Sequence, residues 1–341
     1  MNGKVLQHYV EEFRSGRDLA DGDAEAFFDG LISEIDESLI AQILSHWDAK
    51  GTTEDELFVL ASIMRSRMKR IEPESQTVID IVGTGGSRAK TFNVSTATAF
   101  VVAGAGVSVA KHGNRAATSS AGSADVLGLL GVNADVSPEM AERCLNEHGI
   151  CFMFAPRFHS LSPTLAKVRR EFGKPTIFNN LGPLCNPAGA PHQVIGVWSK
   201  DWLEKTANVL KRLGTQGSWV VHGECGLDEI ALHGETHLTA IYNGNIESNT
   251  ISAADFGIEP DDTDVPQDLS AAKSAALIRE ILENKRRNEN AEKLVLINAA
   301  AAIYVAGKAT DLPEAMRLAI ESVRDGSAMS KLNILRSSTN R

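Results

Sequence analysis

From Thr77 onward, short apolar stretches alternate with runs whose apolar residues recur at helical spacing, and this alternation limits the possible folds more than any other property of the chain. Residues 78–82, 107–110, 151–154, 194–197 and 219–222 read as strands. Residues 97–105, 138–147 and 201–213 read as helices between them, with a further amphipathic helix at 161–172 and three more at 271–283, 290–306 and 312–325. Strands separated by helical runs predict a mainly parallel sheet with helices on its faces. In such a sheet the ligand site lies beyond the carboxyl ends of the strands.

Residues 1–75 read as helices only. These are expected at 5–13, 24–33, 37–49 and 53–70, with a glycine-containing break at 48–52 before the last. Leu39, Ile40, Ile43 and Leu44 form one apolar stripe, and Leu57, Leu60, Ile63 and Met64 form another. Such stripes pack helices together or serve a subunit interface. Residues 71–75 read as a linker. The expected fold class is α/β: a small all-helical domain, 1–75, plus a larger α/β domain, 76–341, with a mainly parallel central sheet and flanking helices.

The formal charge of −10 argues against a non-specific binder of nucleic acid or anionic membranes. Cys144, Cys151, Cys185 and Cys225 show no CxxC spacing and read as free thiols of a reducing compartment. The start carries Glu11, Glu12 and Arg14 without an apolar leader, and no uncharged stretch of membrane-spanning length follows. A cytoplasmic enzyme is expected.

Four segments carry chemistry. Gly83-Thr84-Gly85-Gly86 follows the first strand. Its small residues let backbone N–H groups approach an anion, although a plain tight turn has the same composition. It is neither the dinucleotide spacing GxGxxG nor a Walker loop. Shortly after it, Asn93-Val94-Ser95-Thr96 opens a helix, where Ser95 and Thr96 either cap the helix or offer hydroxyls to a phosphate or a magnesium ion. The second segment, Lys111-His112-Gly113-Asn114-Arg115, is either a solvated turn or a source of cations for a phosphorylated ligand. Residues 116–123 behind it are all Ala, Thr, Ser or Gly and suit a wrapping of backbone and hydroxyl donors. In the third, Asp228-Glu229 sits in a glycine-containing loop, which suits an oxygen-coordinated Mg²⁺, a surface loop or the first turn of a helix. The fourth runs from Asn179 to Pro187 and reads as a rigid loop because of its prolines and glycine. Arg169, upstream of it, either grips a carboxylate through its planar fork or is solvated.

Taken in order along essentially the whole chain, these segments resemble the anthranilate phosphoribosyltransferases of tryptophan biosynthesis. The likeness includes the Ser123-Ala124-Asp125 helix opening, Leu-Gly-Pro-Leu-x-Asn-Pro-Ala at 181–188, Gln193-Val194-Ile195-Gly196-Val197, Gly226-Leu227-Asp228-Glu229 and residues 327–335. The resemblance implies a helical domain, completed by a helix around 161–185, through which a homodimer forms. It implies two Mg²⁺ ions and the substrates phosphoribosyl pyrophosphate and anthranilate, with no nucleic acid or membrane partner. Phosphoribosyl pyrophosphate would be held by Gly83, Gly86, Ser87, Thr91, Asn93, Val94, Ser95, Thr96, Lys111, His112, Gly113, Asn114, Arg115, Ala116, Ala117, Thr118, Ser119 and Ser123. Gly83, His112, Asn114, Arg169, Gly182 and Pro183 would meet anthranilate, and Ser95, Asp228 and Glu229 would hold metal. Lys111, Arg169, Asp228 and Glu229 would carry the catalysis. In that chemistry an aromatic amine displaces pyrophosphate at the anomeric carbon. Lys111 and Mg²⁺ would neutralise the leaving group, and Arg169 would aim the amine. No dedicated strong general base is apparent.

The chain departs from the usual pattern at Ser87 and Arg88, where the family has Asp, often followed by Gly. Cys225 stands for a usual Asp, Cys185 for a common Thr, and Asn180 for an apolar residue. The exchange of an acid for cations beside the glycine turn is expected to alter metal handling or substrate affinity. Two other readings remain at this point: a pyrimidine nucleoside phosphorylase, and a non-catalytic relative that binds nucleic acid or regulates a partner.

Overall fold

The computed structural model describes residues 2–87, 89–115, 121–259, 264–285 and 288–340. Seven strands, β1 (Val78–Gly83), β2 (Ser108–Gly113), β3 (Ile150–Phe154), β4 (His192–Gly196), β5 (Gly217–Gly223), β6 (Thr236–Tyr242) and β7 (Asn245–Ile251), form one sheet in the order β3-β2-β1-β4-β5-β6-β7. The first five strands pair in parallel, as expected, and β6 and β7 add an antiparallel edge. The chain leaves β1 toward β2 and returns on the other side through β4. Strand order therefore reverses between β1 and β4, which opens a crevice at their carboxyl ends.

Helices cover both faces. Val94–Gly104, Glu289–Val305, Leu312–Arg324 and Ser327–Thr339 pack together over one face in a core that includes Ile79, Ile81, Val109 and Val221. The opposite face, with Ile195, Val197 and Val220, is covered by Trp202–Arg212 and Ile177–Leu184. That second core continues without a break into the N-terminal helices Asn2–Arg14, Ala24–Ser33, Glu37–Lys50 and Glu54–Arg67. The helical part thus shares its apolar interior with the sheet, and Pro163–Phe172 packs against Glu37–Lys50. No helix among the described residues is long and apolar enough to cross a membrane.

A buried ion pair fastens the N-terminal helices. Glu56 closes a capping box with Thr53 and also accepts from Leu19 N (2.8 Å), Trp47 Nε1 (3.2 Å) and Lys50 Nζ (2.8 Å). Glu56→Ala removes the acceptor of all of these donors, while Lys50 Nζ keeps Asp18 Oδ1 at 2.8 Å and Gly51 O at 2.9 Å. The unpaired Leu19, Trp47 and Thr53 donors should cost about 3 kcal/mol, read from urea denaturation.

Three sequence expectations are corrected. The stretch expected as a rigid loop contains most of the helix Ile177–Leu184. Pro183 lies inside this helix near its end, where it forgoes one backbone bond, and Asn179 closes the helix start by accepting from Thr176 N at 3.0 Å. Lys111, His112 and Gly113 belong to β2 rather than to a turn after it, because they pair with Phe152–Phe154 of β3 while the Asp80 side chain of β1 holds His112 N. The β6–β7 hairpin was not anticipated. Its turn is Asn243-Gly244, with φ of 48° and 77°, a dipeptide that suits the tight turn between twisted strands.

Candidate active site

A cleft of about 570 Å³ opens at the carboxyl ends of β1, β2 and β5 and reaches the helices Pro163–Phe172 and Ile177–Leu184. Of the residues expected to bind substrate or metal, all in the described regions line this cleft except Val94 and Thr96. Those two are buried against the core, and the Thr96 hydroxyl has no partner. Consecutive side chains on a helix diverge by about 100°, so Ser95 faces the cleft while its two neighbours turn away. Ala116, Ala117, Thr118 and Ser119 lie outside the described residues, as does Arg88.

The glycine turn is shaped by what surrounds it. Gly85 and Gly86 have φ of 66° and 81°, in the left-handed region open to glycine. A Cβ on Gly86 would stand 2.4 Å from Pro175 Cγ, and one on Gly83 would stand 2.7 Å from Asp228 Oδ2. Gly85 N donates to that same Asp228 oxygen at 3.1 Å. Thr84 ties the turn to β4 through Gly196 O, by its backbone N at 2.8 Å and its hydroxyl at 3.1 Å. Asn179 Nδ2 donates to Thr84 O at 3.0 Å and links the turn to the helix bearing Gly182 and Pro183.

Lys111 is buried at the base of the cleft, where Nζ donates to Ile81 O at 2.6 Å and Ser95 Oγ at 3.2 Å. Burial brings its pKa down to about 8, against the attraction of Asp80 and Glu229. Beneath it lies Asp80, fully buried on β1, which burial pushes up to about 6 while Lys111 pulls it back. Asp80 accepts from His112 N at 3.1 Å and from Asn186 Nδ2 at 2.7 Å. One carboxylate therefore joins β1, β2 and the segment after Leu184.

The Asp228-Glu229 pair is half-buried across the cleft. Burial raises Asp228, against hydrogen bonds from Ser87 and Gly85 N. Glu229 lies well above the ordinary carboxylate range through burial and then the charge of Asp228, with Lys111 opposing. Two adjacent buried acids, one raised further by the charge of the other, stand beside one lysine. No cluster of three or more His, Cys, Asp or Glu side chains that could hold a metal exists among the described residues. Two carboxylates and a hydroxyl fit a magnesium ion that completes its shell with water and substrate oxygens, and do not fit a closed all-protein site.

Arg169 is largely buried beside Phe178, 5.0 Å from the ring centroid. Burial alone lowers its pKa, to about 10. Its Nε has no hydrogen-bond partner, and Nη2 reaches Asn179 Oδ1 only at 3.4 Å. A desolvated guanidinium with unused donors suits an incoming carboxylate. His112 and His159 stand near it on the cleft wall. His159 and Asp80 belong to this construction and were missed from sequence, as were the roles of Asn179 and Gly196, which lay in segments already singled out. The only sequence signal for them was position near a strand end or helix start.

Two family descriptions match the chain: the α/β domain of a glycosyl transferase family over residues 75–329, and the helical bundle domain of a glycosyl transferase family over residues 7–68. The chain is 42% identical over 331 residues to the anthranilate phosphoribosyltransferase of Nitrobacter hamburgensis, covering 97% of each. It is 45% identical to that of Afipia carboxidovorans, covering 95% of each. The anthranilate phosphoribosyltransferase structure from Thermus thermophilus superposes with a TM-score of 0.88 at 35% identity, over 98% of this chain and 99% of that one. The Saccharomyces cerevisiae enzyme in complex with PRPP and Mg gives 0.88 at 25% identity, over 98% of both chains.

Proposed function

The chain belongs to the anthranilate phosphoribosyltransferases of this glycosyl transferase family, and from that membership we propose that it transfers the 5-phosphoribosyl group of phosphoribosyl pyrophosphate to the amine of anthranilate. The products are N-(5-phosphoribosyl)anthranilate and pyrophosphate, a step of tryptophan biosynthesis. One observation carries the reading: a single cleft is lined by a glycine turn, a helix start, a buried lysine and a carboxylate pair together with a largely buried arginine whose Nε is unpartnered. That set suits a substrate rich in phosphate beside a partner bearing a carboxylate.

In this reading the N–H groups of the Gly83–Ser87 turn and the start of the helix Val94–Gly104 bind phosphate oxygens. Thr91, Asn93 and Ser123 line the same cleft. Ser95, Asp228 and Glu229 would hold magnesium, which when bound supplies positive charge to the pyrophosphate oxygens. Lys111 adds a fixed ammonium where negative charge grows on the leaving group, and its low-dielectric setting strengthens that effect. Arg169 grips the anthranilate carboxylate and, with Asn114, Gly182 and Pro183, aims the amine at the anomeric carbon. We extend the proposal to two magnesium ions, to a homodimer through the helical part, where Ile35 is 83% exposed, and to a cytoplasmic setting. The free cysteines, of which Cys144, Cys151 and Cys185 are buried, support the reducing compartment.

The test follows the loss of anthranilate fluorescence with purified protein, phosphoribosyl pyrophosphate and Mg²⁺, with an EDTA control. Metal-dependent loss is expected; a folded protein that consumes no anthranilate would overturn the reading, and phosphorolysis of pyrimidine nucleosides would be assayed next. Arg169→Ala should raise the KM for anthranilate by about 30- to 100-fold, the loss of one charge-assisted contact, while kcat falls by less than about threefold. Steady-state kinetics with each substrate varied separates this from a loss of phosphoribosyl pyrophosphate binding.

A further inference from the structure

Two imidazoles meet on the wall of the cleft in an arrangement that no role assigned so far uses. His112, on β2, has its backbone N held by Asp80 and its Nδ1 3.2 Å from Gly182 O. His159 follows the short helix Ala155–Phe158, and its ring bonds the backbone carbonyl of Cys185. The two Nε2 atoms face each other at 3.2 Å. Both rings line the cleft within the wall that also presents Arg169, Gly182 and Pro183.

The tautomers follow from the partners. A carbonyl only accepts, so the nitrogen that meets it carries a proton. His112 Nδ1 serves Gly182 and, with its Nε2 turned to His112, His159 serves Cys185 through Nδ1. In the neutral state both Nε2 atoms are then bare acceptors, lone pair against lone pair. One added proton between them converts that repulsion into an N–H···N hydrogen bond.

Resting on the transferase reading above, we propose that the His112–His159 pair accepts the proton released by the anthranilate amine. The amine nitrogen forms its bond to the anomeric carbon as the bond from that carbon to the pyrophosphate oxygen breaks, and the oxygen keeps the electron pair. The surplus N–H proton passes to the paired Nε2 atoms and goes to water when product leaves. A protonated aryl amine is a strong acid relative to imidazolium, so a weakly basic acceptor suffices.

The surroundings support an acceptor that is empty at rest. Burial, then the neighbouring His159, brings His112 down to about 3, and burial brings His159 to about 4. Lys111 on β2 and Arg169 on Pro163–Phe172 are the cations nearby; Asp80 on β1 and the Asp228-Glu229 pair across the cleft are the acids. The cations oppose a standing charge on the pair, whereas the opposed lone pairs favour a passing one.

His159→Asn should lower kcat by about 100-fold, as expected for loss of one proton acceptor, with KM for both substrates changed by less than about threefold; His112→Asn should lower kcat as much, with a rise in KM besides, because His112 is also placed against both substrates. The double variant should lose no more than either single one, because the pair acts as a unit. A normal solvent isotope effect on kcat should vanish in all three. Single variants that keep kcat within about threefold, or a double variant whose losses multiply, would overturn the proposal. Imidazole ¹⁵N spectra of the free protein test the pairing apart from turnover: both rings should report Nδ1–H tautomers. An Nε2–H signal on either ring would sink this inference while leaving the transferase reading intact. A wild-type protein that fails to consume anthranilate would sink both.

Discussion

Lys111→Met should lower kcat by about 1,000-fold, the scale seen when a fixed donor to developing charge is removed. Methionine fills a similar volume, so the loss isolates the ammonium. Phosphoribosyl pyrophosphate binding should weaken less than kcat, because the charge matters most as the leaving group forms. The same substitution reaches folding through Asp80, which it leaves with no cation facing it. The sign is fixed by the direction of the Asp80 shift. An acid whose folded pKa is raised, here to about 6 from 3.8, contributes its stability fully below 3.8 and loses it as pH rises through 6. Without Lys111 that pKa moves higher still, so the loss is larger at neutrality. Urea midpoints of the variant against wild type should therefore diverge more at pH 7.5 than at pH 5. Equal divergence at both values would show that Asp80 does not sense the lysine.

Gly196→Ala should abolish most activity although Gly196 does not line the cleft. A Cβ there would lie 1.5 Å from Asp228 O and 2.4 Å from its carbonyl carbon, which no rotamer change relieves because both are backbone. The Asp228-Glu229 segment must shift by about an ångström or more to clear it. A displacement of that size in a catalytic group costs about 100-fold in rate. The magnesium concentration needed for half-maximal rate should rise in parallel, since both proposed carboxylate ligands move. Gly128→Ala is the control: its added Cβ meets nothing within 4 Å, and activity should be unchanged. If Gly196→Ala keeps wild-type rate and magnesium demand, the packing of this loop on β4 is not what positions the acids.

The periodic parts of the molecule were legible in local residues alone. The shift from helix-only pattern to alternating strands at Thr77 is a property of neighbouring residues, and the five parallel strands and most helices stand within a few residues of their expected limits. The glycine turn, Lys111, Arg169 and Asp228-Glu229 could be singled out as candidates from the same local pattern, though each also allowed a plain structural reading, and the fold brings them to one cleft. Which polar side chains leave water, and whom they meet, was settled only by the assembled fold. His112 finds His159 across 47 residues, and Asp80 finds Asn186 across 106. Such pairings depend on the crossovers that bring β1, β2 and β4 together, and nothing within a local window encodes them. Burial also reversed the expected setting of Lys111 and His112: paired with β3, they continue β2 as interior residues with fixed partners. Likewise Pro183 and Gly182, strong loop signals locally, sit in a helix because its apolar face is buried against the shared core. Periodicity is set by the chain's own geometry, whereas burial, and with it every perturbed proton affinity in the cleft, is set by the rest of the molecule.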